Sequence, residues 1–384
     1  IATCNIIDRT GYGVVLDDVY VFNPQLLLNL RYGLTYNAQI TARFSQGIDL
    51  ASFGFPRSLL EEIRAKNASA GIAFPQITVD GLTGLGDTGG VTFTTYYQTF
   101  GGTLTKLTGD HSLRIGAEYR LMRENGYNYG NVAPRIDFGT GWTRGPMDNS
   151  TAAPIGQGMA SFMFGVPTGG NININASRAE QSSYTSLFVQ DDWRLTARLT
   201  LNIGLRYEYE SPTTERFNRT IRAFDFTTPS PIVAQALANY TKAPIAEVPA
   251  ASFRTLGGLL FAGAGGQPRD LWAADKNNFA PRIGLAYQLN ARTILRTGYG
   301  IFYDVVGIDR QDVNQGGFNQ PTNLIPSLDN GLTFRATLSN PFPDGLQLPA
   351  GASGGLGTFL GRGVSFFDGN PLNPYHQRWS FSVQ

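Results

Sequence analysis

Two histidines, His111 and His376, are the natural candidates for general acid–base work in this sequence. A hydrolase built on either would need a nucleophile or water within reach and an orienting carboxylate. His111 follows a tight turn and His376 opens an alternating run beside Trp379, so neither lies in such a set, and no enzyme is expected. Cys4 is the only cysteine, which excludes an intrachain disulfide and a cysteine-based metal site. Asp191-Asp192 suggests a cation pair, yet neighbours in a strand point to opposite faces and cannot share one metal. Gly84-Leu85-Gly86-Asp87-Thr88-Gly89 has dinucleotide-loop spacing, but it leads into Thr92-Phe93-Thr94-Thr95, which reads as strand where the fingerprint requires a helix. Gly263-Ala264-Gly265-Gly266 reads as a loop tip. No cofactor and no metal follow from these stretches.

What remains is a set of charges on the polar sides of alternating segments: Arg31, Arg114, Glu118, Arg120, Arg206, Glu208, Arg282 and Arg296. Their simplest use is a hydrated wall whose charges pair across strands or meet a neighbouring domain; direct contact with a ligand is the sharper alternative. Trp142 and Trp272 lie in loop stretches and are candidates for stacking on a sugar or aromatic ligand, although loops also use aromatics for their own packing.

These side chains must be held by strands. Charged residues make up 15% of the 384 residues and aromatics 12%, with 17 Tyr, 25 Phe and 46 Gly, a mixture that suits strands and glycine-rich loops better than an average cytosolic enzyme. The formal net charge of +1 creates no field that would recommend nucleic acid as a partner. No run approaches the ~20 apolar residues of a membrane helix. The N-terminus, Ile1-Ala2-Thr3-Cys4-Asn5, lacks the pattern of a signal peptide, so a leader has been removed or the chain is a fragment.

Period-two alternation comes in four pairs of segments joined by very short turns. Val14–Phe22 turns at Asn23-Pro24-Gln25 into a strand showing Leu26, Leu28, Leu30, Tyr32, Leu34 and Tyr36 on one side. A segment from about Thr92 to Thr105, itself poorly patterned, turns near Gly109 and returns with Leu113, Ile115, Ala117, Tyr119 and Leu121. Ser183–Leu195 turns at Thr196-Ala197-Arg198 and returns with Leu201, Ile203, Leu205, Tyr207 and Tyr209 against Asn202, Gly204, Arg206 and Glu208. The fourth pair shows Ile283, Leu285, Tyr287 and Leu289, turns at Asn290-Ala291-Arg292, and returns with Leu295, Tyr299, Ile301 and Tyr303. A ninth strand begins near Tyr375.

Between the pairs lie long stretches without clean alternation, roughly 39–91, 125–182, 212–278 and 305–374. Compact soluble domains rarely hold even one structureless loop beyond about 15 residues. Four of them in rotation with tight turns fit an outer-membrane barrel, with strands of about 10 residues, short periplasmic turns and long outer loops. A soluble β-sandwich would alternate too. The apolar sides favour the membrane, because they place aliphatics centrally and aromatics toward the ends, where an interfacial girdle belongs. Tyr36, Trp193, Tyr207, Tyr209, Tyr299, Tyr303 and Trp379 are its expected members. Short helices are expected inside loops, one capped by Ser58 and running to about Lys66, another from Pro231 to Tyr240, both as loop ornaments.

Several stretches resemble the barrel of TonB-dependent receptors, especially the Oar-like branch of acidobacteria and myxobacteria. The most specific is Ser186-Leu187-Phe188-Val189-Gln190-Asp191-Asp192-Trp193-Arg194-Leu195-Thr196, followed by Leu199-Thr200-Leu201-Asn202-Ile203-Gly204-Leu205-Arg206-Tyr207-Glu208. Asn277–Gly284, Arg296–Asp304 and Asn373–Ser380 also match. The resemblance implies an all-β, antiparallel up-and-down transmembrane barrel, with about nine strands here of about 22 in the whole. It also implies an N-terminal plug, a carboxypeptidase-regulatory-like module and a TonB box, none of which is visible, so residues 1–384 are expected to be a partial barrel domain. The implied partners are outer-membrane lipid, TonB through the missing N-terminal region, and a bulky substrate such as a siderophore, oligosaccharide, peptide or protein. The alternatives are a passive porin, an adhesive surface barrel or an outer-membrane hydrolase.

Overall fold

The computed structural model describes residues 5–66, 72–86, 89–143, 157–307, 313–329 and 331–384. Cys4, Asp87 and Thr88 lie outside the described residues. Nine wall strands follow one another in sequence order: β1 Asn5–Asn23, β2 Leu26–Arg43, β3 Val91–Thr108, β4 His111–Asn128, β5 Arg178–Thr196, β6 Leu199–Glu210, β7 Asn278–Asn290, β8 Thr293–Tyr303 and β9 Tyr375–Val383. Each is antiparallel to the next, so the sheet is an up-and-down meander whose described edges are β1 and β9.

The turns are written locally. In three of them a side chain satisfies the backbone N–H two residues on: Asn23 Oδ1 accepts from Gln25 at 2.9 Å, Thr196 Oγ1 from Arg198 at 3.2 Å, and Asn290 Oδ1 from Arg292 at 2.9 Å. Such local bonds fix the reversal and therefore the register of the strands that leave it. The remaining turn uses Gly109 at φ 57°, a conformation that costs glycine nothing.

Register keeps the two kinds of side chain apart. Leu28, Leu104, Ile115, Val189, Leu205 and Pro281 form one row across six strands, and Ile203, Ile283, Tyr299 and Trp379 another. On this face Leu187 is 53%, Ile203 48% and Ile283 51% exposed, and among the described residues no second layer covers it. Across the sheet Ser182, Tyr184 and Ser186 are buried. An up-and-down sheet of this kind coils toward closure and so has one convex and one concave side; the uncovered apolar side is the convex one and the polar side the concave one. The charged exceptions on the convex face are Asp8 and Asp18 on the edge strand, Lys106 near a turn, Arg123 in the upper half of β4, and Asp191, which is paired with His111.

The first five strands have 18 or 19 residues, not the expected ten or so. At ~3.3 Å per residue and a tilt near 40° they rise about 45 Å, well past an apolar band of about 25 Å. Their upper halves carry the intervening segments, which are not structureless. Gln76–Val79, Arg135–Phe138, Gly169–Ile174 and Gln320–Asn323 form a four-stranded sheet, and Ile221–Pro229 pairs with Leu256–Phe261.

Helices α1 (Arg57–Lys66), α2 (Gly158–Met163) and α3 (Val233–Tyr240) complete this region. Ser58 lies inside α1, not before it, because the carbonyl of Pro56 already accepts from Leu59 and Leu60. Nor is α1 ornamental. Leu59, Leu60 and Ile63 join Leu50, Ile136, Phe138, Ile172, Leu324 and Phe342 in one buried cluster drawn from three separate loops. Burying each such side chain is worth ~1.5–3 kcal/mol, enough to hold the loops as one cap.

Candidate functional site

The concave face gathers the eight predicted charges. Asp17, Arg31, Gly101, Glu118, Ser186 and Glu208 share one cross-strand row, and Arg114, Gln190, Gly204 and Arg282 share another. Arg206 is the hub: it donates to Glu208 at 2.7 Å, to Glu118 at 3.2 Å and to the Tyr184 hydroxyl at 3.2 Å. Arg120 donates to Glu118 at 2.5 Å and lies 5.0 Å over the Tyr184 ring. Gly116 makes room for this cluster, since a Cβ there would collide with the ring of Phe188.

Toward the turns, Arg114 pairs with Asp192 at 2.5 Å, and Asp192 also accepts from Asn202 at 2.5 Å. Asp191 points the other way, to His111 Nδ1 at 2.6 Å, whose ring stacks on Trp193 at 5.1 Å. The consecutive aspartates thus serve opposite faces, as strand geometry requires. Arg282 stacks over Phe302 at 4.6 Å. Among the described residues neither Arg282 nor Arg296 has a carboxylate within ion-pair distance, and Arg31 reaches Asp17 only at 3.9 Å. The face is therefore paired across β4–β6 and positive across β7 and β8. A groove of about 520 Å³ on it is lined by Arg31, Asn29, Thr99 and Glu118.

On the convex side Tyr12, Tyr36 and Tyr96 stack in succession, with centroids 4.6 and 4.9 Å apart. Tyr207 meets Phe279 at 5.1 Å and Tyr303 meets Tyr375 at 5.8 Å. Tyr209 lies two residues beyond Tyr207 on the same face, and Trp193 stands near the turns at the other margin. Tyr299 and Trp379 are placed differently: they face each other in one row with Ile283, four residues short of the Tyr303–Tyr375 pair at that rim.

Of the loop tryptophans, Trp272 is buried and Trp142 half-buried. Trp272 is 4% exposed, packed on Phe367 at 4.8 Å beside Leu271 and Val313. Trp142 donates to the Pro167 carbonyl at 2.8 Å and lies edge-on to Phe334 at 4.9 Å. Both rings are taken up by the internal packing of the loops, and for the buried Trp272 this corrects the expectation of a ligand-stacking surface.

Three buried glutamates, invisible to sequence patterning, fasten loops to the wall. Glu210 accepts from the N–H groups of Val306 at 2.7 Å and Gly307 at 2.6 Å. Glu215 accepts from Ala179, Phe217 and Arg219 at 2.8–2.9 Å. Glu180 accepts from the Val313 N–H at 3.4 Å and pairs with Arg178, its neighbour on β5, at 2.7 Å. In the exposed loops, hydrogen bonds from Thr333 and Ser327 hold the Asp329 carboxyl down at about 2, and those from Thr228 and Thr227 hold Asp225 well below the ordinary range. His111 and His376 lie on opposite faces, the latter stacked on Phe302 at 5.2 Å. Among the described residues no three His, Cys, Asp or Glu side chains converge as a metal site.

Residues 4–384 match the family described as "Outer membrane beta barrel domain". No curated protein matches. Solved structures with similarity include the ferric preacinetobactin receptor BauA of Acinetobacter baumannii, at 11% identity and TM-score 0.32, over 77% of this chain and 31% of that one. The ferric-catecholate import receptor Fiu of E. coli K12, in its open form, is 12% identical with TM-score 0.34, over 77% and 36%. The ferric citrate transporter FecA, unliganded, is 8% identical with TM-score 0.31, over 80% and 29%. The chain spans about a third of the length of these receptors.

Proposed function

Since the chain belongs to the outer membrane beta barrel domain family and resides in the bacterial outer membrane, we propose that it is part of the wall of a TonB-dependent transporter that moves a bulky substrate through a plugged barrel. The observation that carries the reading is the concave face, where Arg206 joins Glu118 and Glu208 and Arg114 pairs with Asp192. A face of this kind suits a wide hydrated interior, and the convex face suits hydrocarbon. The specific assignment rests on the sequence blocks that resemble the Oar-like branch. They fall on β5 to β9 and so make up one continuous stretch of wall.

In this reading about 13 further strands complete a barrel of about 22. A plug and a regulatory-like module precede them, TonB supplies the energy, and the substrate is a siderophore, oligosaccharide, peptide or protein. Arg31, Arg114, Glu118, Arg120, Arg206, Glu208, Arg282 and Arg296 line the interior. Tyr36, Trp193, Tyr207, Tyr209 and Tyr303 contact the membrane interfaces.

The test uses the complete reading frame in its outer membrane. Accumulation of ferric siderophores, oligosaccharides and peptides is measured with TonB present and depleted, alongside planar-bilayer conductance. The expected result is uptake of at least one class that ceases on depletion, with no persistent conductance. Uptake indifferent to TonB, with a steady open conductance, would fit a passive porin and overturn the reading.

A further inference from the structure

Between β3, β4 and β5 the convex face changes character above its aromatic belt. A cleft of about 630 Å³ opens there, lined by Tyr96, Leu121, Arg123, Arg216 and Arg269; Leu121 lies two residues below Arg123 on β4, and Arg216 stands above it beside Ala179. Register sets the height: Arg123 stands directly opposite Tyr96, the last ring of the Tyr12–Tyr36–Tyr96 stack, while Leu121 opposes Gln98 and Tyr119 opposes Phe100 just below. The other two arginines come from the loop after β6. Thr214–Glu215 pairs with β5, and the Arg216 N–H continues that pairing to the Ala179 carbonyl at 2.8 Å. Arg269 returns to the same place, donating to the carbonyls of Glu215 at 3.1 Å and Arg216 at 3.2 Å and to Asn218 Oδ1 at 2.8 Å.

All three guanidinium groups are exposed and their partners are neutral. Arg123 donates to Gln181 Oε1 at 2.8 Å, and Arg216 lies over the Phe217 ring at 5.6 Å. Among the described residues none of the three has a carboxylate within ion-pair distance, whereas Arg114, Arg120, Arg178 and Arg206 all do. The nearby carboxylates of Glu180 and Glu215 are buried, occupied with Arg178 and with backbone N–H groups. The result is three uncompensated positive charges at and above the level of Tyr96, next to an apolar belt.

We propose that this cleft is a binding site for the anionic, phosphate-bearing headgroup of a membrane lipid. The phosphate lies among Arg123, Arg216 and Arg269, and the acyl chains run down the belt past Leu121, Tyr119 and Phe100. Planar guanidinium forks match phosphate oxygens in pairs. The apolar lower rim selects a lipid over a free anion, because a soluble phosphate gains nothing from Leu121 or Phe100. The site lies on the outside of the wall and is independent of any substrate that passes within.

The test is native mass spectrometry of the protein purified from outer membranes in detergent, titrated with phosphatidylglycerol, phosphatidylcholine or inorganic phosphate. Phosphatidylglycerol is expected to be retained over phosphatidylcholine. Arg123→Gln, Arg216→Gln and Arg269→Gln are each expected to weaken it about fivefold, the change that ~1 kcal/mol per basic residue at a membrane surface corresponds to. Arg254→Gln, on a remote loop, should leave retention unchanged. Leu121→Asn should weaken the lipid without strengthening phosphate binding. Should Arg123→Gln or Arg269→Gln fail to fold, Arg216→Gln alone decides the matter, since among the described residues that guanidinium makes no hydrogen bond or ion pair and lies over the Phe217 ring. Equal retention of phosphatidylglycerol by the single variants and the parent overturns the proposal, as does its complete displacement by inorganic phosphate at matched concentration.

Discussion

Leu104 and Thr103 are neighbours on β3 and face opposite ways, which makes them a direct probe of the wall. Leu104 sits between Leu28 and Ile115 in the long aliphatic row, 36% exposed on the convex side. Thr103 lies between Asn29 and Gly116 and lines a concave cleft with Arg114, Gln190 and Arg206. Replacing Leu104 by Arg places a guanidinium in hydrocarbon well inside the apolar band, a change that costs ~2–4 kcal/mol near the midplane of barrels of this class. That corresponds to a folded-to-unfolded ratio lower by about 30- to 1,000-fold. Thr103→Arg enters a hydrated, charged surface, and its cost should stay near the ~0.5 kcal/mol of ordinary surface substitutions. The assay is urea unfolding of the protein in phosphatidylcholine bilayers, followed by tryptophan fluorescence. Equal costs, or a larger one for Thr103→Arg, would refute the assignment of faces and with it the membrane-spanning geometry.

Three further outcomes follow from named contacts. Arg206→Ala leaves Glu118 and Glu208 facing each other without their shared cation, and destabilises the wall by ~1–3 kcal/mol, less in Arg206→Lys, by the same urea titration. Phe138→Ala empties part of the cap core at a cost of ~3–5 kcal/mol; limited proteolysis should then cut loops 44–90, 129–177 and 304–374 together while the strands stay protected. The Asp329 carboxyl is depressed from 3.8 to about 2 by Thr333 and Ser327. Its contribution is complete above about pH 4 and is lost as pH falls through 2, so hydrogen exchange around 327–333 should accelerate in that interval and not between pH 5 and 7.

The wall was legible because its determinants are local. Alternation sets the face of each residue, and Asn23, Thr196, Gly109 and Asn290 fix the reversals. Nine strands and the opposed aspartates follow from these alone. Where the strands leave the apolar band the alternation fades, as at Thr92, Thr94 and Thr95, and strand length could not be read. The cap escaped the sequence for another reason. Its core unites Leu50 and Leu60 with Phe342 and Leu346, nearly 300 residues away, and no short-range period records such a meeting. Trp142 and Trp272 were visible as aromatics, but their role depends on Phe334 and Phe367, which arrive from a different loop. The charges of the inner face were found through face assignment. Their hub at Arg206 was not, because it needs the register of three strands at once.

The shared cap core has a consequence for engineering and for natural drift. Segments that emerge from different hairpins are interlocked through Ile63, Ile136, Ile172 and Leu324, so none is a free module. A transplant that swaps 129–177 alone would leave Leu59 and Phe342 without their counterparts, and only a graft exchanging the three interlocked segments together preserves the tertiary fit. Length changes, in contrast, are absorbed most readily at tips remote from that knot, such as 263–266, where a Cβ added at Gly265 or Gly266 would meet nothing within 4 Å.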